Sequence, residues 1–491
     1  MVRTGSDSEG VRFPDILGSL LTEKFWLRSW TNETYLWNDE VIDRDPGATA
    51  GRLDFFALLK TNNLTSTGRP KDNFHFSQPT AEYLNQKNSA AVASYGASFA
   101  TISSTRPRDI RVRYTEPGSP ASEIVGGQAQ FVRGSKIVAV NGIDAVNGGT
   151  TQAQLDALNA GLVPATPGIT TTFVVRDPGA TSDRTFTITS AAIAPKPVNR
   201  TSTIATPTGN VGYILFNTFS PFSSEREIRD AIESFRTQNL ADLVLDLRYN
   251  GGGLLAVASQ LSYMVAGPAT TSGKVFERLR FNASAGTRNP VTGGANNPTP
   301  FYATGLGFSV PNGTALPTLN LRRVFVLSTA RTCSASEAVV NGLRGAGLEV
   351  ILIGGTTCGK PYGFYATSNC GETYYSIQFQ GVNNLGFGDY ADGFAPNNSS
   401  SAIALKIPGC VIPDDFDREL GNPSEGLLAS ALAYRTTGVC APAASGDSQA
   451  MGQLPLSGAR SKTDAAQIDQ FELRLPSSNV FETNRDMRMP R

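Results

Sequence analysis

The sequence predicts a multidomain α/β protein, and three observations support this fold class. Its 491 residues exceed what one hydrophobic core normally serves. Apolar β-type runs alternate with helical patterns, and the runs lie at 243–245, 324–327 and 350–353. A strand-rich stretch precedes them. We therefore expect four regions: an N-terminal helical domain at 1–90, a β-rich domain at 91–195, an α/β core at 196–440 and an extended or disordered tail at 441–491.

The N-terminal domain shows apolar residues at helical spacing in two segments, 17–30 and 54–60. A turn signal rich in Asp, Pro and Gly lies between them at 43–47. These features predict a helical cap in front of the next domain.

The β-rich domain is predicted from short strand signals. Residues 112–114 alternate as a strand does, and 137–140 end in the tight-turn pair Asn141-Gly142. Leucines recur at helical spacing within 151–162, which suits one wall of a peptide groove. A compact, strand-rich module with one helix follows.

The core begins with a strand at 211–216 and a helix that ends near Phe235. A helix separates the run at 350–353 from the run at 324–327, so a right-handed crossover would make these two strands parallel. Residues 283–317 are rich in Gly, Asn, Pro and Thr and predict a long surface loop.

Three loops that follow apolar strands carry the residues of an acyl-transfer site. The first holds the glycines of 246–253, the second holds Ser334 at a helix start, and the third ends at Lys360. Loops that leave parallel strands emerge on one edge of an open sheet, so these loops should face each other. A hydroxyl, an amine and unshielded backbone N–H groups predict a serine hydrolase.

The chain contains one histidine, His75, far in sequence from these loops, which argues against a Ser-His-Asp triad. Lysine serves as a general base only when it is uncharged, which requires an apolar pocket or positive neighbours to lower its pKa from about 10.4. We expect the pocket from residues that flank Lys360, namely Cys358, Pro361, Tyr362 and Phe364.

These motifs resemble those of the C-terminal processing (tail-specific) peptidases, the S41 serine peptidases with a Ser-Lys dyad. The resemblance rests on Asp246–Gly253, Ser334-Ala335-Ser336-Glu337 and Gly359-Lys360, and it covers most of the chain. It implies a ClpP/crotonase-like catalytic core that hydrolyses unfolded or C-terminal protein segments without a cofactor. It also implies site residues: Ser334 as nucleophile, Lys360 as base, and the backbone N–H groups of Ala335 and of Gly251 or Gly252 as oxyanion donors.

The sequence departs from the family pattern at two points. The spacing from Ser334 to Lys360 is one residue longer than in better-known members. Some members have a third catalytic group, an Asp or a Gln, where this chain has Gly345 and Phe364. The orienting role would then fall to the hydroxyl of Ser336 or Thr332, or to no side chain.

The resemblance continues upstream into a PDZ-like domain. Its peptide-binding loop corresponds to Gly96, Ala97, Ser98 and Phe99, where backbone N–H groups would hold a terminal carboxylate. Ala97-Ser98 replaces the common Leu-Gly or Ile-Gly pair. In the N-terminal domain, 71–76 resembles the stretch that leads from the cap towards this domain in relatives.

Composition excludes several partner classes. Lys and Arg total 42, equal to Asp and Glu, which gives no electrostatic case for nucleic acid. No window has the apolar length of a membrane span, and we expect a mature or trimmed form. From the family we expect protein or peptide substrates and a bacterial envelope location, periplasmic or secreted, with a lipid anchor as an alternative. The sequence leaves open whether the protein forms a homo-oligomer.

Five cysteines without a Cys-x-x-Cys pair give no support for a metal site and fit an exported protein. We expect a disulfide between Cys370 and Cys410 and a free thiol at Cys333. Asp389, Asp392, Asp414, Asp415 and Asp417 lack the spacing of a calcium loop.

Each residue has a plainer alternative. Ser334 would otherwise be a helix N-cap, Lys360 a solvated cation, and the glycines a tight turn. Cys333 is a weaker nucleophile candidate, and Glu337 is expected to support the helix N-terminus. At the level of the protein, the alternatives are an inactive PDZ-type peptide-binding scaffold and a non-peptidase serine hydrolase.

Overall fold

The computed structural model describes residues 12–15, 17–88, 90–440, 471 and 485–486 and shows a mixed α/β fold. None of the helices in these residues combines the length and apolar character that a bilayer crossing requires. The α-helices in this part of the chain are Leu20–Thr34, Arg52–Ala57, Thr80–Lys87, Gln152–Leu162, Ser223–Phe235, Leu255–Thr271, Ala335–Gly345 and Gly426–Thr437.

The first helix begins where Ser19 accepts a hydrogen bond from the Thr22 N–H at 3.3 Å. Helices are present near both segments that the sequence predicts, although each is shifted by a few residues. Such shifts are expected because helix ends depend on caps and tertiary contacts.

The N-terminal region packs on a segment from the second half of the chain. Trp26 stacks on Trp30 with ring centroids 5.5 Å apart, and both rings contact Tyr374. The strand Phe76–Pro79 pairs in antiparallel fashion with Glu372–Tyr375. The two regions therefore share one sheet and one aromatic cluster.

The next module is strand-rich, as predicted, and its main sheet has the order Arg184–Thr189, Thr170–Arg176, Lys136–Val140, Asp109–Thr115, Ala97–Ser103. The strand Ala97–Ser103 forms one edge of this sheet. Phe131 and Phe173 lie in the module's core with centroids 5.0 Å apart. The smaller strands of the module are Val92–Ser94, Ile124–Val125, Gln128–Ala129, Ile143–Asp144 and Ala191–Ile193.

The core sheet has six strands in the order Val198–Ile204, Asn210–Phe216, Leu240–Asp246, Arg323–Ser328, Glu349–Gly354, Gly409–Cys410. All neighbouring pairs are parallel except the first. The predicted parallel arrangement of these two strands is confirmed, because Val324 pairs with Val350 in the parallel register. The loops after the three predicted strands consequently leave from the same edge.

The predicted surface loop at 283–317 is only partly a surface feature. Phe301, Phe308 and Leu316 are buried in the core cluster. The buried carboxylate of Glu225 accepts hydrogen bonds of 2.6 to 2.8 Å from the backbone N–H groups of Leu306, Ser309 and Val310. The composition of this segment does not reveal that it is ordered, because glycines and prolines suit ordered turns as well as mobile loops.

The remaining strands of the described residues have two to six residues each. They are Gly253–Leu254, Val275–Arg280, Thr299–Pro300, Tyr362–Gly363, Thr367–Asn369, Phe379–Val382, Phe394–Pro396, Leu405–Ile407 and Arg485–Asp486.

Candidate active site

The glycine loop (residues 247–253) leaves the strand Leu240–Asp246 and is fixed by a buried arginine. The Arg248 guanidinium donates to the carboxylates of Asp246, Asp414 and Glu425 at 2.7 to 3.1 Å. The Arg248 and Glu425 side chains have no exposed surface. Three carboxylates around one cation hold the base of the loop, and they raise the pKa of Arg248 despite its burial.

The serine loop (residues 329–334) presents Ser334 immediately before the helix Ala335–Gly345. Ser334 has φ +61° and ψ −110°, a backbone conformation that costs a non-glycine residue about 1–3 kcal/mol. Its Oγ is buried and donates no hydrogen bond to the residues that the structure describes, and it faces the Glu337 N–H in the geometry of a capping box. Its backbone N–H donates to Glu337 Oε2 at 2.9 Å. The turn therefore holds a buried hydroxyl at a helix N-terminus.

The lysine loop (residues 355–361) carries a fully buried Lys360. Its Nζ lies 4.6 Å from the ring centroid of Phe74 and 4.9 Å from that of Phe364. Burial lowers the pKa of Lys360 to about 7, although the charges of Asp72 and Glu337 act in the opposite direction. Burial therefore favours the uncharged amine, the form that a general base requires.

The apolar pocket that the sequence predicts is present, with a wall that the sequence did not predict. Phe364 was among the expected residues, whereas Phe74 comes from the N-terminal region. The similarity of 71–76 to a stretch in relatives is the one signal in the sequence, and it does not by itself place Phe74 at Lys360.

Glu337 connects the serine and lysine loops. Besides the Ser334 N–H, its carboxylate accepts from Thr357 Oγ1 at 2.5 Å and from the Gly359 and Lys360 N–H groups at 2.8 Å. Burial raises the pKa of Glu337, which these hydrogen bonds partly offset. Its role thus extends beyond the predicted support of the helix N-terminus, because it sets the position of Ser334 relative to Lys360.

A disulfide between Cys333 and Cys358 connects the same two loops, with Cα atoms 5.2 Å apart. The predicted pairing was wrong: Cys410 pairs with Cys440, and Cys370 is the cysteine outside both disulfides. Spacing along the chain does not determine which cysteines meet in the fold. Because Cys333 is bonded, its candidacy as an alternative nucleophile is also wrong.

Residues 210–364, which include all three loops, match the family model Peptidase family S41. This region is an S41 peptidase domain. A curated relative, the carboxyl-terminal-processing protease of Picosynechococcus sp. (strain ATCC 27264 / PCC 7002 / PR-6), is 28% identical over 245 residues, 50% of this chain and 49% of that protein. The chain therefore spans about half the length of this relative.

A solved structure supports the fold over a longer stretch. A protein of Bacteroides fragilis NCTC 9343 that has been assigned to the S41 proteases superposes with a TM-score of 0.61. The match covers 87% of this chain and 100% of that chain at 22% sequence identity, which establishes a similar fold.

In the S41 domain, the backbone around the glycine loop distinguishes the candidate oxyanion donors. The Gly252 N–H donates to Asn250 Oδ1 at 2.9 Å. Among the described residues, no acceptor is found for the N–H groups of Gly251 and Ala335. These two groups are the ones available to a ligand.

The hydroxyls suggested as lysine-orienting groups have other partners. Ser336 Oγ donates to Asn250 O at 2.9 Å, and Thr332 Oγ1 donates to Leu247 O at 2.8 Å. They fasten the serine loop to the glycine loop, so the structure does not support their assignment to Lys360.

The remaining sequence candidates have structural partners. Burial lowers the pKa of His75, whose Nε2 lies 2.9 Å from Phe56 O and whose ring stacks on Phe56. Asp414 belongs to the Arg248 cluster, and Asp392 contacts Arg69 at 3.6 Å. These contacts agree with the plainer interpretation of His75 and of both aspartates.

In the strand-rich module, the predicted peptide-binding loop leads into the edge strand. Gly96 has φ +81°, and a Cβ at this position would lie 2.2 Å from Ser119. Ala97 and Ser98 begin the edge strand, while the Phe99 side chain is buried in the module's core. A peptide could therefore contact the backbone at Phe99 but not its ring.

Proposed function

We propose that the protein is a serine endopeptidase that uses Ser334 and Lys360 to hydrolyse peptide bonds in unfolded or C-terminal protein segments. The observation that supports this most is that Glu337 connects the loop of a buried serine to the loop of a buried lysine whose pKa is lowered to about 7. The S41 domain and its curated relative agree with this reaction class.

In the proposed mechanism, Lys360 Nζ accepts the proton of the Ser334 hydroxyl while Oγ attacks the substrate carbonyl carbon. The backbone N–H groups of Ala335 and Gly251 stabilise the oxyanion, with Gly252 as a weaker candidate because its N–H is already engaged. The lysine then protonates the leaving amine, and water hydrolyses the acyl-enzyme ester.

We assign domain roles on the same basis. Residues 1–90 form a cap that supplies the Phe74 wall, 91–195 a PDZ-like peptide-binding domain with Gly96–Phe99 at its loop, and 196–440 the catalytic core. A bacterial envelope location, periplasmic or secreted, fits the two disulfides of the described residues.

The test is active-site labelling followed by a cleavage assay. A fluorophosphonate should form an adduct at Ser334, located by mass spectrometry, and the labelled protein should lose cleavage of unfolded casein. An adduct at another residue, or cleavage that persists after complete labelling, would contradict the assignment. A non-peptidase hydrolase would hydrolyse a small ester and leave casein intact.

The cleavage rate should rise with pH through a midpoint near 7, because the neutral amine is the active form and deprotonation of Lys360 occurs there. Phe74→Ala should admit water to the pocket, raise this pKa and move the midpoint upward by about one pH unit. The measurement is kcat/KM against pH. Phe25→Ala, a change at an exposed ring of the N-terminal helix, should leave the midpoint in place.

Loss of the Cys333–Cys358 disulfide should lower the cleavage rate about tenfold, because the covalent connection between the serine and lysine loops is removed. The hydrogen bonds of Glu337 and the bond from the Cys358 N–H to Thr332 O remain. The comparison is a Cys333→Ala/Cys358→Ala variant against Cys370→Ala, which removes a thiol outside both disulfides. Equal rates in the two variants would show that the hydrogen bonds between the loops position them without the disulfide.

A further inference from the structure

Two residues from the C-terminal region form a strand beside the candidate active site. Arg485–Asp486 pairs in parallel with Gly253–Leu254, with Gly253 opposite Arg485 and Leu254 opposite Asp486. Gly253 lies two residues after Gly251, a proposed oxyanion donor. The same strand lies close to Tyr362–Gly363, just after Lys360. The C-terminal strand is therefore placed between the glycine loop and the segment that follows the lysine.

This position is the one that an extended substrate would need. Peptides commonly bind by adding a strand to an exposed edge, where backbone hydrogen bonds hold them in register. Ser334 and Lys360 have 0% exposed surface in this structure, so neither side chain is open to solvent. A substrate that reaches Ser334 has to enter a site that is closed.

A second contact lies on the strand-rich module. Phe471 is 1% exposed and belongs to the module's aromatic core cluster. Its N–H donates to Ser104 O at 2.9 Å, directly after the edge strand Ala97–Ser103. The Arg108 guanidinium lies 5.8 Å from the Phe471 ring centroid. Burial of this ring and its backbone hydrogen bond together anchor the C-terminal region on the module.

We propose that the C-terminal region of this chain is its own ligand, with Phe471 as anchor on the module and Arg485–Asp486 as occupant of the substrate path. The proposal rests on the peptidase function above. An attached segment has an effective concentration in the millimolar range, so a short strand with few contacts competes with free peptides. The protein is held closed until a substrate displaces this strand.

The test uses full-length protein with Ser334→Ala, which prevents cleavage, and a fluorescein-labelled peptide of residues 478–491. Asp486→Pro in the chain should weaken the internal strand, because proline cannot donate to a ladder and clashes with regular pairing. The peptide should then bind at least tenfold more tightly, by fluorescence anisotropy, than it binds the parent chain. Asp464→Pro, the same substitution elsewhere in the C-terminal region, should leave the affinity unchanged.

Phe471→Ala provides a second variant, and it should also increase peptide affinity because the anchor is lost. Equal affinities in all four chains would overturn the proposal. With Ser334 restored, Asp486→Pro should raise the rate of casein cleavage several-fold over Asp464→Pro. Tighter peptide binding by the variants without cleavage by any chain would support the C-terminal region as a ligand and contradict the peptidase function. Equal peptide affinities with equal casein cleavage would support the peptidase function and contradict the C-terminal region as a ligand.

Discussion

Replacing Ser334 by alanine, Lys360 by methionine, or both together should lower the casein cleavage rate by the same factor, roughly 10⁴-fold. The nucleophile and its base act as one unit, so removing either one removes the covalent route, and the second change has little left to remove. Methionine suits Lys360 because the buried site is lined by Phe74 and Phe364 and tolerates an apolar chain. Initial rates from product masses give the three factors.

Lys406→Met serves as the control for this series, since its amine donates to Ser399 O at an exposed position. It should retain the full rate. Losses that multiply, with the double variant far below either single one, would mean that Ser334 and Lys360 contribute to separate steps and would contradict the dyad.

Replacing Arg248 by methionine should destabilise the protein by about 3–5 kcal/mol. Its guanidinium binds the carboxylates of Asp246, Asp414 and Glu425. Asp414 also binds Arg133, whereas removal of Arg248 leaves the buried charges of Asp246 and Glu425 without a cation. Tyr213 also donates to Asp246 at 2.7 Å, but a neutral hydroxyl cannot replace a cation. Urea unfolding followed by tryptophan fluorescence measures the change.

Arg28→Met is the matched control, because its salt bridge with Asp43 lies at the surface. Such exposed pairs contribute about 0–1 kcal/mol, so this variant should unfold near the parent midpoint. Equal effects of the two substitutions would show that water or rearranged side chains neutralise the buried carboxylates around Arg248.

The arrangement of the three loops was predictable because it follows from local patterns and one general rule. Apolar runs identified the strands around Leu245, Val326 and Leu352, and parallel strands release their loops at one edge. Motif chemistry then identified Ser334 and Lys360 as candidates before any contact was known.

The parts that were missed depend on contacts between distant segments. Phe74 contacts Lys360 although more than half of the chain separates them in sequence, and no periodicity predicts such a contact. From the sequence, Glu337 is an ordinary carboxylate at a helix start. Its connecting role depends on the hydrogen bonds that it accepts from the backbone of the lysine loop. The Cys333–Cys358 pairing likewise requires the distance between two loops that the sequence places 25 residues apart.

Because Phe74 lines the pocket of Lys360, the pKa of this lysine depends on whether the N-terminal region stays attached to the core. The pairing of the strands Phe76–Pro79 and Glu372–Tyr375 holds Phe74 in place. A chain nicked so that its first part departs would retain the central sheet and the serine, yet its lysine would become hydrated and stay an ammonium at neutral pH. Such nicked copies would lose peptidase activity because Lys360 is protonated, and they would lose it while the central sheet is still folded.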